Sequence, residues 1–508
     1  MPPALRSLRR LALLALTAAA LTMRTADGAI TLSADFDQGG LDLANSSVAG
    51  TTVTLAGRDN FNPGQWKWLY FRADGVAGLT PQFRIGDNFN TGASSLAGHA
   101  MVYSYDQQSW EFFDNNTLST SQDTFAFSNQ QPFNGDSVYV AYGLPYPTER
   151  VAADVQSRAS SPWVSPTTTG DASLVIGASP GGIDDLGRTI GPHDLYGYKL
   201  TDSASPATTK KKVVLFGGVH ANETLGNYTL EGLVDFLDGD SPEAARLRRL
   251  AEFYVYPMVN PDGRFAGYNR STVESPTVDP NRAWDPPLYD SVDEVRTVAT
   301  AALTDTGGDV DYVIDFHSTV NGKEGHFGYV LPAYQSDPLW QNFLDLEPSV
   351  RTLTALLQDD TGAKFGRDQL NAEFSITLET QFLAGENIDR FLALGANLGL
   401  AFEQTLRIAG DLNFDHALDA ADWQLFLAGA DADLSQLSAV DAYAAGDLNG
   451  DGFNDLIDFD LFKSAFLTAH GPAALAALLA GVPEPTSLPL ATLASTTLAG
   501  VAAARRHR

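Results

Sequence analysis

Two apolar runs in this chain each lead to a histidine: Val213-Val-Leu-Phe216-Gly-Gly runs on to His220, and Tyr312-Val-Ile-Asp-Phe316 runs on to His317. Short runs rich in Val, Ile and Phe read as buried strands. The chain must therefore bring two imidazoles to the ends of strands. His220-Ala-Asn-Glu223 adds a carboxylate on the turn leaving the first strand. His220, Glu223 and His317 together read as a zinc site, and three protein ligands leave the fourth tetrahedral position to water, as catalytic zinc requires. A His-x-x-Glu pair alone also arises by chance on any surface helix, so the reading depends on what lies between the histidines.

That interval holds Pro257-Met-Val-Asn260-Pro261-Asp262-Gly263-Arg264, then Tyr268-Asn-Arg270, then Asp279-Pro-Asn281-Arg282-Ala-Trp284. A terminal carboxylate calls for a forked, permanently charged partner beside neutral donors, and Arg270, Asn281 and Arg282 supply that set within a short stretch. Either arginine alone would read as a surface ion pair. Downstream, Glu379 stands near the end of the strand-like segment Phe374-Ser-Ile-Thr-Leu-Glu379. A carboxylate placed there can act as general base toward a metal-activated water.

In this order the motifs resemble the zinc metallocarboxypeptidases of the carboxypeptidase A type, over about Ile176 to Phe402. The resemblance implies that His220, Glu223 and His317 hold zinc and that Glu379 is the base. It implies that Arg270 stabilises the oxyanion, that Asn281 and Arg282 grip the substrate's terminal carboxylate, and that Asp279 orients the first ligand histidine. Ser318 also matches. One departure stands out: the family's mobile tyrosine has no counterpart between Tyr334 and Glu379.

Upstream, the aromatic segments Trp66 to Arg72, Tyr103 to Trp110 and Tyr139 to Pro147 are separated by Gly, Asn and Ser and read as strands of an antiparallel sandwich. Pattern alone fits a carbohydrate-binding or generic β-module. Its place before the peptidase, and its Pro145-Tyr146-Pro147 end, resemble the N-terminal domain of cytosolic carboxypeptidases, which trim glutamates from protein tails. The resemblance makes Lys364 and Arg367 the expected receivers of an acidic substrate side chain; as bare sequence they read as solvated charge. His326 reads as a surface histidine.

From Gly410 the character changes. Asp411, Asn413, Asp415, Asp419 and Asp422 recur 36 residues later as Asp447, Asn449, Asp451, Asp455 and Asp458. Both sets fall at loop positions 1, 3, 5, 9 and 12 of an EF-hand-like calcium loop, with Asp in place of Glu at the last. The first loop has His416 where glycine is expected, which predicts weaker binding. The duplicated unit resembles a type I dockerin and implies Ca2+ and a cohesin-like partner. At the end, Val482-Pro-Glu-Pro485-Thr-Ser487, an apolar run and Arg505-Arg-His-Arg508 resemble a PEP-CTERM sorting signal, which implies an exosortase-type processing enzyme.

Arg6, Arg9 and Arg10 followed by Leu11 to Leu21 read as a secretory signal. With 508 residues and no cysteine, an exported chain must be stable through large cores and not disulfides. A net charge of −30 argues against a nucleic-acid partner. The predicted organisation is a signal peptide (1–29), an N-terminal antiparallel β-sandwich (30–150), a linker (151–170), a zinc carboxypeptidase domain (171–408), dockerin-like repeats (409–470) and the sorting signal with a transmembrane segment (471–508). The expected fold is α/β: a mixed sheet flanked by helices, with the sandwich before it and a small α-helical module after it. The expected activity is exported zinc carboxypeptidase action on peptide or protein C-termini, with an acidic preference and transient anchoring in the envelope. The same residues also accommodate a cell-wall peptide amidase, another zinc acyl hydrolase, or an inactive peptidase-like binding protein.

Overall fold

The structure, a computed structural model, describes residues 29–58, 60, 68–86, 96–205, 209–285, 288–319, 325–354 and 361–480. The expected signal peptide, but for its last residue, and the sorting motif with its apolar run lie outside the described residues. No helix among the described residues is long and apolar enough to cross a membrane.

Alternating small and aromatic side chains build the N-terminal domain as two five-stranded sheets. One runs in the order Thr31–Ser33, Tyr70–Asp74, Ser137–Ala141, Val102–Ser104, Glu111–Phe112; the other runs Ser47–Ala49, Thr52–Leu55, Gln82–Ile85, Thr124–Ser128, Asn115–Ser119. Their inner faces meet through Phe71, Phe83, Phe113 and Phe127, with Phe83 and Phe127 stacked at 5.3 Å. The sandwich departs from the antiparallel expectation where Thr52–Leu55 pairs in parallel with Gln82–Ile85 and at the isolated parallel bridge between Ala77 and Phe133.

The second domain is built on an eight-stranded mixed sheet, in the order Val164–Pro166, Tyr198–Leu200, Ala251–Tyr256, Lys211–Gly217, Tyr312–Thr319, Phe374–Gln381, Phe327–Val330, Arg351–Thr354. The four central strands run parallel. They are apolar on both faces, as strands covered on both sides must be. Val213 and Leu215 face the helices Thr224–Asp238 and Ile388–Leu406, while Val214 and Phe216 face the helix Asp293–Thr306. The first two helices touch backbone to backbone: a Cβ on Gly395 would lie 1.9 Å from the Thr229 carbonyl oxygen. The expected linker at 151–170 is not one. Its residues enter the helix Thr148–Arg158, which buries Val151 and Val155, and the edge strand Val164–Pro166.

The C-terminal region packs the helices Ala420–Ala428, Ala439–Ala444 and Leu456–Ala480 around Leu412, Trp423, Phe426, Phe462 and Phe466. The last helix crosses the expected boundary at 470, with a break at Gly471 ahead of Pro472.

Candidate metal centre and active site

Parallel strands end together, so the loops that follow them share one edge of the sheet. His220 and Glu223 lie on the turn after Lys211–Gly217, and Glu223 immediately precedes the helix Thr224–Asp238. Gly226 lets that helix approach the next strand, because a Cβ there would stand 2.9 Å from the His317 carbonyl oxygen. The result is one buried cluster. His220 Nδ1 lies 2.8 Å from Glu223 Oε1, His317 Nδ1 lies 2.7 Å from Glu223 Oε2, and the two Nδ1 atoms are 3.1 Å apart. The three residues form a group whose ligand atoms lie within 4.8 Å of one another.

Each ring's other nitrogen faces a carboxylate. His220 Nε2 is 3.0 Å from Asp279 Oδ1, and His317 Nε2 is 3.0 Å from Asp315 Oδ2. If each Nε2–H donates to its carboxylate, both Nδ1 lone pairs point at the carboxylate of Glu223 with nothing positive between them. Such a donor set is stable only around a cation, and two imidazole nitrogens with one carboxylate suit zinc. Burial alone would lower the His317 pKa, but Asp315 and Glu223 hold it well above the usual value. Burial would likewise raise Glu223, yet the two histidines hold it well below the ordinary carboxylate range.

Asp279 does more than orient His220. It accepts from the Asn281 amide at 2.9 Å and takes Arg270 in a two-pronged grip, from Nε at 3.0 Å and from the terminal nitrogen at 2.9 Å. The remaining arm of Arg270 stands 3.8 Å from Glu223. Glu379 sits in register with His317 on the adjacent parallel strand Phe374–Gln381. Its Oε2 is buried without a hydrogen-bond partner. Burial and the neighbouring Glu223 charge push its pKa up, against the pull of His317 and Arg270. This is a carboxylate poised to take up a proton.

Asn281 sits behind the ligands: its carboxamide oxygen accepts from the Gly362 amide at 2.9 Å and its nitrogen lies 3.2 Å from His317 Nε2. This engages the side chain expected to grip substrate. Arg282, partly buried beside it, donates to the Asn281 carbonyl at 2.6 Å. Lys364 and Arg367, expected to receive an acidic substrate side chain, are both ion-paired. Lys364 is paired with Asp285 at 3.0 Å and Asp368 at 3.1 Å, and Arg367 with Asp368 at 2.6 Å, so neither is an unpartnered cation awaiting a substrate side chain. His326 is 1% exposed and not a surface residue; its Nδ1 accepts from the Gln381 amide at 3.0 Å.

Two residues escaped the sequence reading. Asp315 was signalled by strand alternation, since it precedes His317 by two and shares its face. Tyr329, on the strand Phe327–Val330 that pairs with Phe374–Gln381, lay outside the interval searched for a tyrosine. Tyr329 pairs with Thr377, two residues before Glu379, and partial burial with the charges of Glu379 and Glu223 raises its phenol pKa.

In the C-terminal region the two acidic loops repeat one hydrogen-bond pattern. Asp422 Oδ1 accepts from the Leu412 and Asn413 amides at 2.8 and 3.3 Å, and Asp458 Oδ1 accepts from Leu448 and Asn449 at 2.7 and 3.1 Å. Asp419 and Asp455 occupy the same place in each loop, with their own amides donating to Asp422 and Asp458 at 2.8 and 2.9 Å. Asp415 and Asp451 each accept from the asparagine two residues before, Asn413 and Asn449. Asp447, Asp451 and Asp458 gather their carboxylate oxygens within 4.8 Å; among the described residues the first loop forms no such group.

Residues 182–318 match the zinc carboxypeptidase family, and residues 32–142 match the cytosolic carboxypeptidase N-terminal domain. The chain is 29% identical over 210 residues to cytosolic carboxypeptidase 2 of Xenopus tropicalis, across 40% of this chain but only 20% of that protein. A metallo-carboxypeptidase from Burkholderia cenocepacia shares the fold with a TM-score of 0.61 at 24% identity, over 74% of this chain and 98% of its own. A structure described as a carboxypeptidase, from Burkholderia mallei, gives 0.62 at 22% identity over 75% of this chain and 98% of its own. Glu379 lies outside the matched segment, so its assignment rests on its place in the sheet. Residues 182–318 are thus similar to the zinc carboxypeptidases, and residues 32–142 before them to the N-terminal domain of cytosolic carboxypeptidases.

Proposed function

We propose that this chain is an exported zinc carboxypeptidase that removes residues from peptide or protein C-termini. The observation that carries the reading is the convergence of three inward-facing donors, His220 Nδ1, Glu223 and His317 Nδ1, beside the unpartnered oxygen of Glu379. Zinc held there supplies Lewis-acid activation of water and of the scissile carbonyl. Glu379 takes the proton of the attacking water and returns it to the leaving amine. Arg270, fixed by Asp279, offers its remaining arm to the oxyanion, and Arg282 supplies charge for the terminal carboxylate. A preference for C-terminal Glu at Lys364 or Arg367 would require that cation to exchange its present carboxylate partner for the substrate's.

Export rests on the N-terminal Arg-then-Leu pattern, and envelope anchoring with exosortase processing rests on the Pro-Glu-Pro motif. Ca2+ binding at the duplicated loops, and a cohesin-like partner for that module, rest on their spacing and on the grouping of Asp447, Asp451 and Asp458.

The test is incubation of the purified chain with peptides that differ in their last residue, with matched C-terminal amides as controls. Release of single residues from the free acids, abolished by a chelator and restored by zinc, is the expected result. Internal cleavage, or equal action on the amides, would place the chain among the other zinc acyl hydrolases. Full activity after metal removal would sink the zinc reading.

A further inference from the structure

We propose that Asp315 is a positioning residue of the metal centre, holding His317 by its Nε2–H so that only Nδ1 is offered to the metal. The assignment rests on the zinc reading above. Asp315 is 0% exposed in the strand Tyr312–Thr319, two residues before His317, so both side chains project from one face. Its Oδ2 lies 3.0 Å from His317 Nε2, nearer than the Asn281 side-chain nitrogen at 3.2 Å and the one acceptor of the two, while the opposite ring nitrogen lies 2.7 Å from Glu223 Oε2.

A fully buried carboxylate is costly unless something compensates it. Oδ1 has no hydrogen-bond partner, and His317 is the one side chain paired with Asp315 among the described residues. The surroundings are built close to the group: a Cβ on Gly362 would stand 2.7 Å from Asp315 Oδ2, so that position tolerates only glycine without displacement. The arrangement mirrors Asp279 behind His220, at the same 3.0 Å. With Nε2–H donated on both rings, both Nδ1 lone pairs are fixed toward the same point, and no tautomer has to be expelled when metal enters.

Zinc affinity of the full chain, read by competition with a chromophoric chelator, tests this in Asp315→Asn and Asp315→Ala. The Asn amide can turn its N–H toward Nε2 and favour the wrong tautomer. Both variants should lose about 10–100-fold in affinity, while the metal-free proteins melt close to wild type. An unchanged affinity with a lowered metal-free melting temperature would overturn the proposal and make Asp315 a residue of the fold. Should neither variant fold, 15N NMR of the zinc-loaded wild-type histidine rings decides. A proton on His317 Nε2 with Nδ1 bound supports the assignment, and metal on Nε2 overturns it. Wild-type protein that binds no zinc would overturn the zinc reading, and this assignment with it.

Discussion

A buried carboxylate with a free oxygen is unstable as an anion, and Glu379 is kept usable by the charges around it. Burial and Glu223 raise its pKa while His317 and Arg270 lower it. Only the ionised form can take a proton, so turnover should fall as pH drops through the Glu379 pKa, and Glu379→Gln should lose both that acid limb and most turnover while still binding zinc. Near-normal rates in the glutamine variant would assign the base elsewhere. Arg270→Ala should lower kcat by about 10²–10³-fold, the usual loss for one oxyanion donor. A change confined to KM would instead make Arg270 a ground-state contact. At this scale the candidate ligands and base could be read from position: His220 follows an apolar strand, His317 and Glu379 lie near the ends of two others, and Glu223 stands three residues beyond His220. The second carboxylate, Asp315, and Tyr329 were not sought, because the motifs pointed to other positions. The pairing of Lys364 with Asp285 was illegible because the two are 79 residues apart in the chain.

The elements explain why the N-terminal domain is joined to the peptidase without a true linker. Arg264 is fully buried, and burial lowers its pKa to about 10. Its guanidinium donates to the Tyr146 carbonyl at 2.9 Å, to Asn227 Oδ1 at 2.9 Å and to the His220 carbonyl at 3.4 Å. The Pro145-Tyr146-Pro147 strap and the zinc-ligand turn are thereby tied to one side chain. Tyr228 reinforces the strap by donating to the Pro145 carbonyl at 2.7 Å. Arg264→Met keeps much of the volume but leaves those acceptors unpaired, so it should destabilise the chain by about 2–4 kcal/mol and weaken zinc binding together. A melting temperature unchanged within about 1 °C would show that the strap holds without it. Sequence pattern marked the aromatic strands of the N-terminal domain. It misread 151–170 because Ser, Pro and Thr suggest a loop, whereas Val151 and Val155, four apart, carry a helical stripe into the core.

At the scale of the whole molecule, the C-terminal region is fastened to the peptidase domain through its first acidic loop. His416 Nε2 meets the Leu250 carbonyl oxygen at 3.0 Å, the Arg249 guanidinium lies 5.2 Å from the Phe414 ring centroid, and Arg249 also pairs with Asp441. His416 holds the left-handed backbone, φ 66°, that Gly452 adopts in the second loop with φ 87°. That conformation is strained for a histidine, so the contact with Leu250 offsets a local cost and commits the first loop to docking. The second loop is free of that duty and groups Asp447, Asp451 and Asp458. Titration calorimetry of the full chain should therefore find two unequal Ca2+ sites, with Asp451→Ala abolishing the tighter one. At calcium about 100-fold above its Kd, the tighter site should stabilise the module by about 2.7 kcal/mol. His416→Gly should relieve the backbone strain yet cut the tie to Leu250, tightening the weaker site while making the module easier to release by limited proteolysis. Equal affinities in the wild type, or an Asp451→Ala chain that binds calcium as before, would remove the second loop as the principal site, and a wild type that binds no calcium would leave both loops as hydrogen-bonded turns.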